Sequence, residues 1–251
     1  MTEQDAHIAA LIKLHRGLDR MGPGDDEFSR RILASLPALP DQPRIADLGC
    51  GAGAGALLLA AWFEAPVRAV DLSREFLDEL EERARALGLA HLVTAIEADI
   101  GALDWPAGSI DLLWSEGAAY ELGFERALRT WTPLLAPGGI AVISELSWFT
   151  EDAPAPVRAY WTQACPEIGS EAEKTARAIG AGLEVLGVQR LPTEAWWANY
   201  YGPLQRRMAI VAEHADQAMR DVIAETELEM SMLRRYGDVY GYSFYILRSS
   251  G

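Results

Sequence analysis

Cysteine and lysine are both scarce. Among 251 residues there are two cysteines, Cys50 and Cys165, and two lysines, Lys13 and Lys174. Two cysteines cannot build a disulfide framework, and they suit a reduced compartment. Basic residues as a whole number 22 against 37 acids, giving a net charge of −15 and a pI near 4.7. That balance argues against a nucleic-acid partner, which is gripped through phosphate neutralisation, and against an anionic membrane surface. No apolar run reaches the 18 residues of a transmembrane helix. The opening Met1-Thr-Glu-Gln-Asp-Ala-His7 has neither a basic n-region nor an apolar h-region, so a cytoplasmic location is expected. The four histidines, His7, His15, His91 and His214, are scattered, and no metal site is expected. A phosphate-cradling Gly-x-x-x-x-Gly-Lys and a Ser-His-Asp arrangement are also missing. What remains is ample: half the residues are apolar, enough for a sizeable α/β core.

The chain is organised around Arg44-Ile-Ala-Asp-Leu-Gly-Cys-Gly-Ala-Gly53. An apolar run ends near Asp47, three glycines alternate at Gly49, Gly51 and Gly53, and an Ala/Leu-rich stretch follows. That order reads as strand, tight turn, helix. Glycine serves where the backbone takes unusual dihedral angles and a ligand approaches closely. The helix N-terminus adds free N–H groups. Gly49-x-Gly51-x-x-Ala54 also fits a dinucleotide fingerprint, so a nicotinamide-dependent oxidoreductase is one reading. Two acids favour another. Asp47, at the strand's carboxyl end, would repel a pyrophosphate but attract an ammonium group. Asp71, closing Val67-Arg-Ala-Val-Asp71, suits a ribose diol.

At these residues the chain resembles the class I S-adenosylmethionine (SAM) methyltransferases. Asp47-Leu-Gly-Cys-Gly-Ala-Gly53 matches their first motif and Asp71 their second. The resemblance implies a cofactor site made by Asp47, Gly49, Cys50, Gly51, Asp71, Leu72, Asp99, Ile100 and Ser115. Asp99 would accept from the adenine amino group while Ile100 packs on the ring. The implied products are a methylated substrate and S-adenosylhomocysteine, with no metal. The Asn/Asp-Pro-Pro-Tyr/Phe motif of nucleic-acid and glutamine methylation is replaced by Ser115-Glu-Gly117 after the fourth strand, which weakens those substrates and leaves small molecules.

Taken in order, residues 4–20 and 26–36 read as two amphipathic helices around Met21-Gly-Pro-Gly24. Residues 1–39 are expected to form a helical lid, with His15 and Arg20 at its working end. From residue 40 onward strands and helices alternate, which implies a parallel sheet. The expectation is a doubly wound, Rossmann-like α/β fold. By the resemblance, its seven-stranded sheet has the order 3-2-1-4-5-7-6 with the last strand antiparallel. A helical insertion, roughly 192–236, precedes that strand.

Candidate chemistry lies at the carboxyl ends of strands four and five and in the insertion. Glu116, Tyr120 and His15 are the catalytic candidates. Glu145, Trp148, Trp197, Tyr200 and Tyr201 are the substrate candidates. Neighbouring aromatics in Trp196-Trp-Ala-Asn-Tyr-Tyr201 cannot all face one core, since adjacent helical residues lie about 100° apart. Some must line a cleft, and aromatic faces attract cations. With acids nearby, the pattern leans toward N-methylation of a small amine. The alternatives are O- or C-methylation of a small aromatic or quinone-like substrate, and a non-catalytic SAM-binding protein. A monomer or a homodimer fits equally.

Overall fold

The computed structural model describes residues 2–250. Its main strands are β1 (Ile45–Leu48), β2 (Val67–Asp71), β3 (Val93–Glu97), β4 (Ile110–Glu116) and β5 (Leu135–Trp148), followed by the two-residue β6 (Gly169–Ser170), β7 (Leu183–Arg190) and β8 (Tyr240–Ser249). They form one sheet in the order β3-β2-β1-β4-β5-β8-β7, with β6 pairing only β5. β8 runs antiparallel to both β5 and β7, and the first five strands pair in parallel. With β6 set aside, this is the expected order.

Helices cover both faces. Early in the chain come α1 (Glu3–His15), α2 (Asp26–Ser35), α3 (Ala54–Phe63) and α4 (Arg74–Ala86). After β4 come α5 (Phe124–Trp131), α6 (Ala155–Ala164), α7 (Glu171–Gly180), α8 (Thr193–Trp196), α9 (Gly202–Ala212) and α10 (Gln217–Tyr236). Caps set several starts. Asp25 accepts from Phe28 N at 2.7 Å, and Asp216 accepts from Met219 N at 2.9 Å. Each satisfies a backbone donor that the first turn leaves free. Ile45, Ala46, Asp47 and Leu48 are all buried, as a parallel strand covered on both faces requires.

Two differences from the sequence reading matter for the site. α1 stops at His15, and residues 16–25 run as an irregular strap before α2. An apolar run predicts a fifth strand over 139–145; β5 is twice that length, because ten-residue β8 lies beside it and supplies hydrogen-bond partners as far as Trp148.

The sheet has two chemically distinct faces. Trp114, Val142, Trp148, Tyr240 and Phe244 pack on the side of α1, α2 and α3. Leu113, Ile143 and Tyr245 pack on the side of α5 and α7. Glu145 belongs to the second face. It is 2% exposed, and Lys174 of α7 donates to it at 2.7 Å. Removing one member of a buried pair strands the other charge, at a cost of about 3–5 kcal/mol. Lys174→Met is therefore expected to lower Tm by roughly 10 °C for a chain of this size. Adding Glu145→Leu should restore much of the loss, which thermal unfolding of the two variants will measure.

Candidate active site

The turn after β1 is built on left-handed glycines: Gly49 at φ 76°, Gly51 at φ 51° and Gly53 at φ 88°. Space is short there as well. A Cβ on Gly49 would fall 2.2 Å from the Ala118 Cβ, and one on Gly53 2.1 Å from Leu80. The turn is pinned from β2. Gly49 N and Cys50 N both donate to Val70 O, and Gly51 N donates to Asp71 Oδ2 at 2.8 Å. Asp71 Oδ1 accepts from Ser73 N at 2.9 Å. The Asp71 carboxylate is thereby fixed in direction, and each oxygen keeps lone pairs for a diol.

Asp47 is the most strained charge in this region. It is 2% exposed, and its Oδ2 has no hydrogen-bond partner. Burial, then the neighbouring Glu116 carboxylate, push its pKa well above the usual carboxylate range. A buried acid with an open oxygen calls for a cation, and an ammonium group answers it. On β3's exit, Asp99 is exposed and Gly101 N donates to its Oδ1 at 2.7 Å. Ile100 is buried beside it, while Leu72 stands 69% exposed after β2, an apolar face without cover. The residues present thus fit a ligand with an ammonium tail, a ribose and a flat apolar base. Two of the expected contacts point elsewhere. The Ser115 hydroxyl donates to Leu48 O inside the sheet at 2.8 Å, and the buried Cys50 thiol, its pKa raised by burial and by Asp47, faces its own turn.

Glu116, at the end of β4, ties the strap down. Its oxygens accept from Arg20 at 2.8 Å, from the Trp114 indole at 2.8 Å and from Ser29 Oγ at 3.2 Å. Arg20 is 8% exposed and also donates to Asp26 at 2.6 Å. Asn199, ahead of α9, holds the same strap through Gly24 O at 3.0 Å and Asp25 Oδ2 at 2.8 Å. Residues 20–29 therefore lie against the cofactor turn, with Met21 so close to Gly51 that a Cβ there would come within 2.8 Å of it.

His15 takes no part in Glu116's network. Its Nδ1 faces Leu11 O at 2.9 Å and its Nε2 faces Tyr200 Oη at 3.0 Å. Only an N–H can donate to a carbonyl, so the proton sits on Nδ1 and Nε2 accepts from the phenol. Burial lowers the His15 pKa, favouring that neutral form.

Tyr200 belongs to an aromatic wall in which residues 197–201 form a single π-helical turn. That widening lets neighbours in sequence share one side. Tyr200 and Tyr201 lie 5.0 Å apart between ring centroids, Trp196 and Tyr242 4.9 Å, and Trp197 and Tyr201 5.2 Å. Arg234 stacks over Trp197 at 4.6 Å. Tyr242 reaches from β8 to within 2.9 Å of a Cβ placed on Gly117. Tyr120 is half exposed at the mouth of β4. Trp148 packs edge-on to Tyr240, on the same face as this wall, while Glu145 is sealed on the opposite one. Tyr242 and Glu229, which accepts from Tyr201 Oη, complete the wall. Neither stood out in sequence, although an acid among the buried Met219, Val222, Met230 and Leu233 of α10 breaks an apolar stripe and was a signal.

The doubly wound sheet, the glycine turn and three acids at the ends of β1, β2 and β3 are arranged as in class I SAM-dependent methyltransferase domains, whose cofactor is S-adenosylmethionine. Residues 45–139 match the methyltransferase-domain family. The dimethylglycine N-methyltransferase of Parasynechococcus marenigrum is 28% identical over 53% of this chain and 49% of its own length. The trans-aconitate 2-methyltransferase of an Azoarcus strain is 28% identical over 79% of this chain and 71% of its own. The chain thus spans about half the length of the first of these relatives. A SAM-dependent methyltransferase from Geobacter sulfurreducens, solved with S-adenosylhomocysteine, superposes with a TM-score of 0.81 at 22% identity, covering 95% of this chain and 97% of that one. Among the described residues there is no cluster of metal-ligating side chains, and no helix is long and apolar enough to cross a membrane.

Proposed function

We propose that the chain moves a methyl group from S-adenosylmethionine to the nitrogen of a small amine. The observation that carries this reading is the His15–Tyr200 pair set into an aromatic wall. Bound S-adenosylmethionine supplies an electrophilic methyl on sulfur and leaves as S-adenosylhomocysteine. Asp47 would hold its ammonium, Asp71 the ribose and Asp99 the adenine edge. The chain's remaining work is to position the acceptor, exclude water and take a proton. As the acceptor nitrogen becomes cationic it releases a proton to Tyr200 Oη, while the phenol proton passes to His15 Nε2. Glu116, engaged by Arg20, Trp114 and Ser29, holds the strap over the site.

An amine is favoured over a carboxylate by the pairing of charges. Arg20 and Lys174 are the buried cations among the described residues, and each is committed to carboxylates. A polyanionic acceptor finds no free partner there. The second reading is O-methylation of a small carboxylic acid, favoured by the longer alignment to the trans-aconitate enzyme. Methyl-labelled cofactor and a panel of amines, phenols and carboxylic acids separate the readings. Label is expected in amines. Label confined to oxygen would overturn the nitrogen assignment, and cofactor binding with no transfer to any acceptor would overturn methyl transfer itself.

A further inference from the structure

Helix α4 touches the cofactor turn and the strap at once, through three residues within little more than one turn. Leu80 is buried against Gly53, where its Cδ1 takes the space a side chain on that glycine would need. Glu79 accepts from Gly17 N through both carboxylate oxygens, at 3.2 and 3.1 Å, and pairs with Arg16 at 3.6 Å. Arg83, four residues after Glu79 and so on the same side of the helix, makes the direct link. Its Nη1 donates to Asp19 O of the strap at 3.0 Å and to Ala52 O of the cofactor turn at 3.0 Å. Among the hydrogen bonds of the described residues, only these two join strap and turn through one side chain. The peptide held on the turn is fixed at its other end as well, since Gly53 N donates to Cys50 O at 2.9 Å. Open space borders the same seam. A cleft of about 970 Å³ runs between the strap, α3, α4 and the start of α9, with Asp19, Arg20, Ala54, Trp62, Arg83 and Asn199 among its walls.

We propose that Arg83 is a positioning residue that locks the strap onto the cofactor turn and thereby sets how fast the cofactor leaves. The other ties on the strap do different work. Arg20–Glu116 holds it to β4 and Asn199–Asp25 holds it to the insertion, and neither pair includes a residue of the turn. With the strap down, Met21 lies over Gly51. Each turnover must release S-adenosylhomocysteine, so the strap lifts once per cycle, a motion of the kind that limits many enzymes. Lifting breaks both Arg83 bonds together, because one nitrogen makes them. A charged donor makes each bond stronger than a neutral one would. The inference requires only the cofactor and holds whichever acceptor atom is methylated.

The test is cofactor exchange in the whole chain, read by surface plasmon resonance with S-adenosylhomocysteine as the probe. Arg83→Met keeps the aliphatic stem and removes the bridging donors. It should release S-adenosylhomocysteine about tenfold faster, the scale of one partly exposed charged hydrogen bond, with association little changed. Arg83→Lys should return release to roughly the wild-type rate, because an ammonium nitrogen also carries donors for two carbonyls. Arg85→Met removes the other basic residue from the last turn of α4, with the same loss at the helix dipole, and should leave release as it is in the wild type. Hydrogen exchange gives a second reading. With S-adenosylhomocysteine bound, the amides of residues 16–21 should exchange faster in Arg83→Met than in the wild type, while those of the sheet stay protected. Unchanged release in Arg83→Met, or faster release with the strap as protected as before, would overturn the proposal. So would an equal acceleration by Arg85→Met, which would assign the effect to the dipole. Protection lost across the whole sheet, with no rescue by lysine, would make Arg83 part of the scaffold and overturn it too.

Discussion

Asp47→Asn is expected to stabilise the cofactor-free protein while weakening S-adenosylmethionine binding by about 100-fold. Both effects follow from the same open oxygen. Asp47 is buried, and nothing bonds Oδ2. An unsatisfied buried polar group costs about 1–3 kcal/mol, and more when it carries charge. Because burial raises its pKa, the folded chain holds this proton to higher pH than the unfolded chain does. Stability from this group is therefore complete below the unfolded carboxylate pKa and falls as pH rises toward the raised folded value. Asparagine has no such dependence, so the Tm advantage of the variant should be small near pH 4 and grow with pH. With cofactor present the sign reverses. Asparagine leaves the ligand's ammonium without a charge partner, and losing one half of such a buried pair costs about 2–5 kcal/mol, so ~3 kcal/mol gives the 100-fold. Differential scanning calorimetry across pH, with and without S-adenosylhomocysteine, measures both arms. Equal cofactor affinity in the two proteins would remove Asp47 from the site.

The cofactor side was legible because its information is local. Asp47, Gly49, Gly51 and Gly53 lie within seven residues of one another, Asp71 ends the next strand, and each position is set by strand length and turn chemistry. The aromatic side was not, and particular residues show why. His15 and Tyr200 are 185 residues apart and meet only because α1 packs against the insertion. Spacing within either segment cannot announce that pairing. Glu229 sits in the middle of a long helix, and its contact with Tyr201 depends on how that helix packs its inward stripe. Strand parity did hold information that was available. Glu145 and Trp148 are three residues apart in one strand, and side chains alternate between faces, so both could not face one cleft. The structure puts Trp148 on the aromatic side and Glu145 against Lys174. Glu116 was recognisable as a cleft residue, but its partner Arg20 lies on an irregular strap that no periodicity describes.

Tyr200→Phe is expected to lower kcat by about 100-fold, the scale of a positioned proton acceptor, with KM changed by less than threefold. The substitution keeps the ring against Tyr201 and His15 and removes only the hydroxyl that meets His15 Nε2, the atom proposed to take the acceptor's proton. His15→Gln should give a similar fall, and the double variant should be little worse than either, since the two side chains form one path and their effects do not add. The pH profile discriminates a proton path from packing. Burial lowers the His15 pKa, so the neutral imidazole that accepts from Tyr200 persists below the ordinary histidine range. The acid limb of kcat/KM should therefore fall below pH 6.5 in the wild type, and it should vanish in Tyr200→Phe, where the imidazole has nothing to relay. A Tyr200→Phe protein with full kcat and an unchanged acid limb would show that the pair only packs, and the proton would then leave through water.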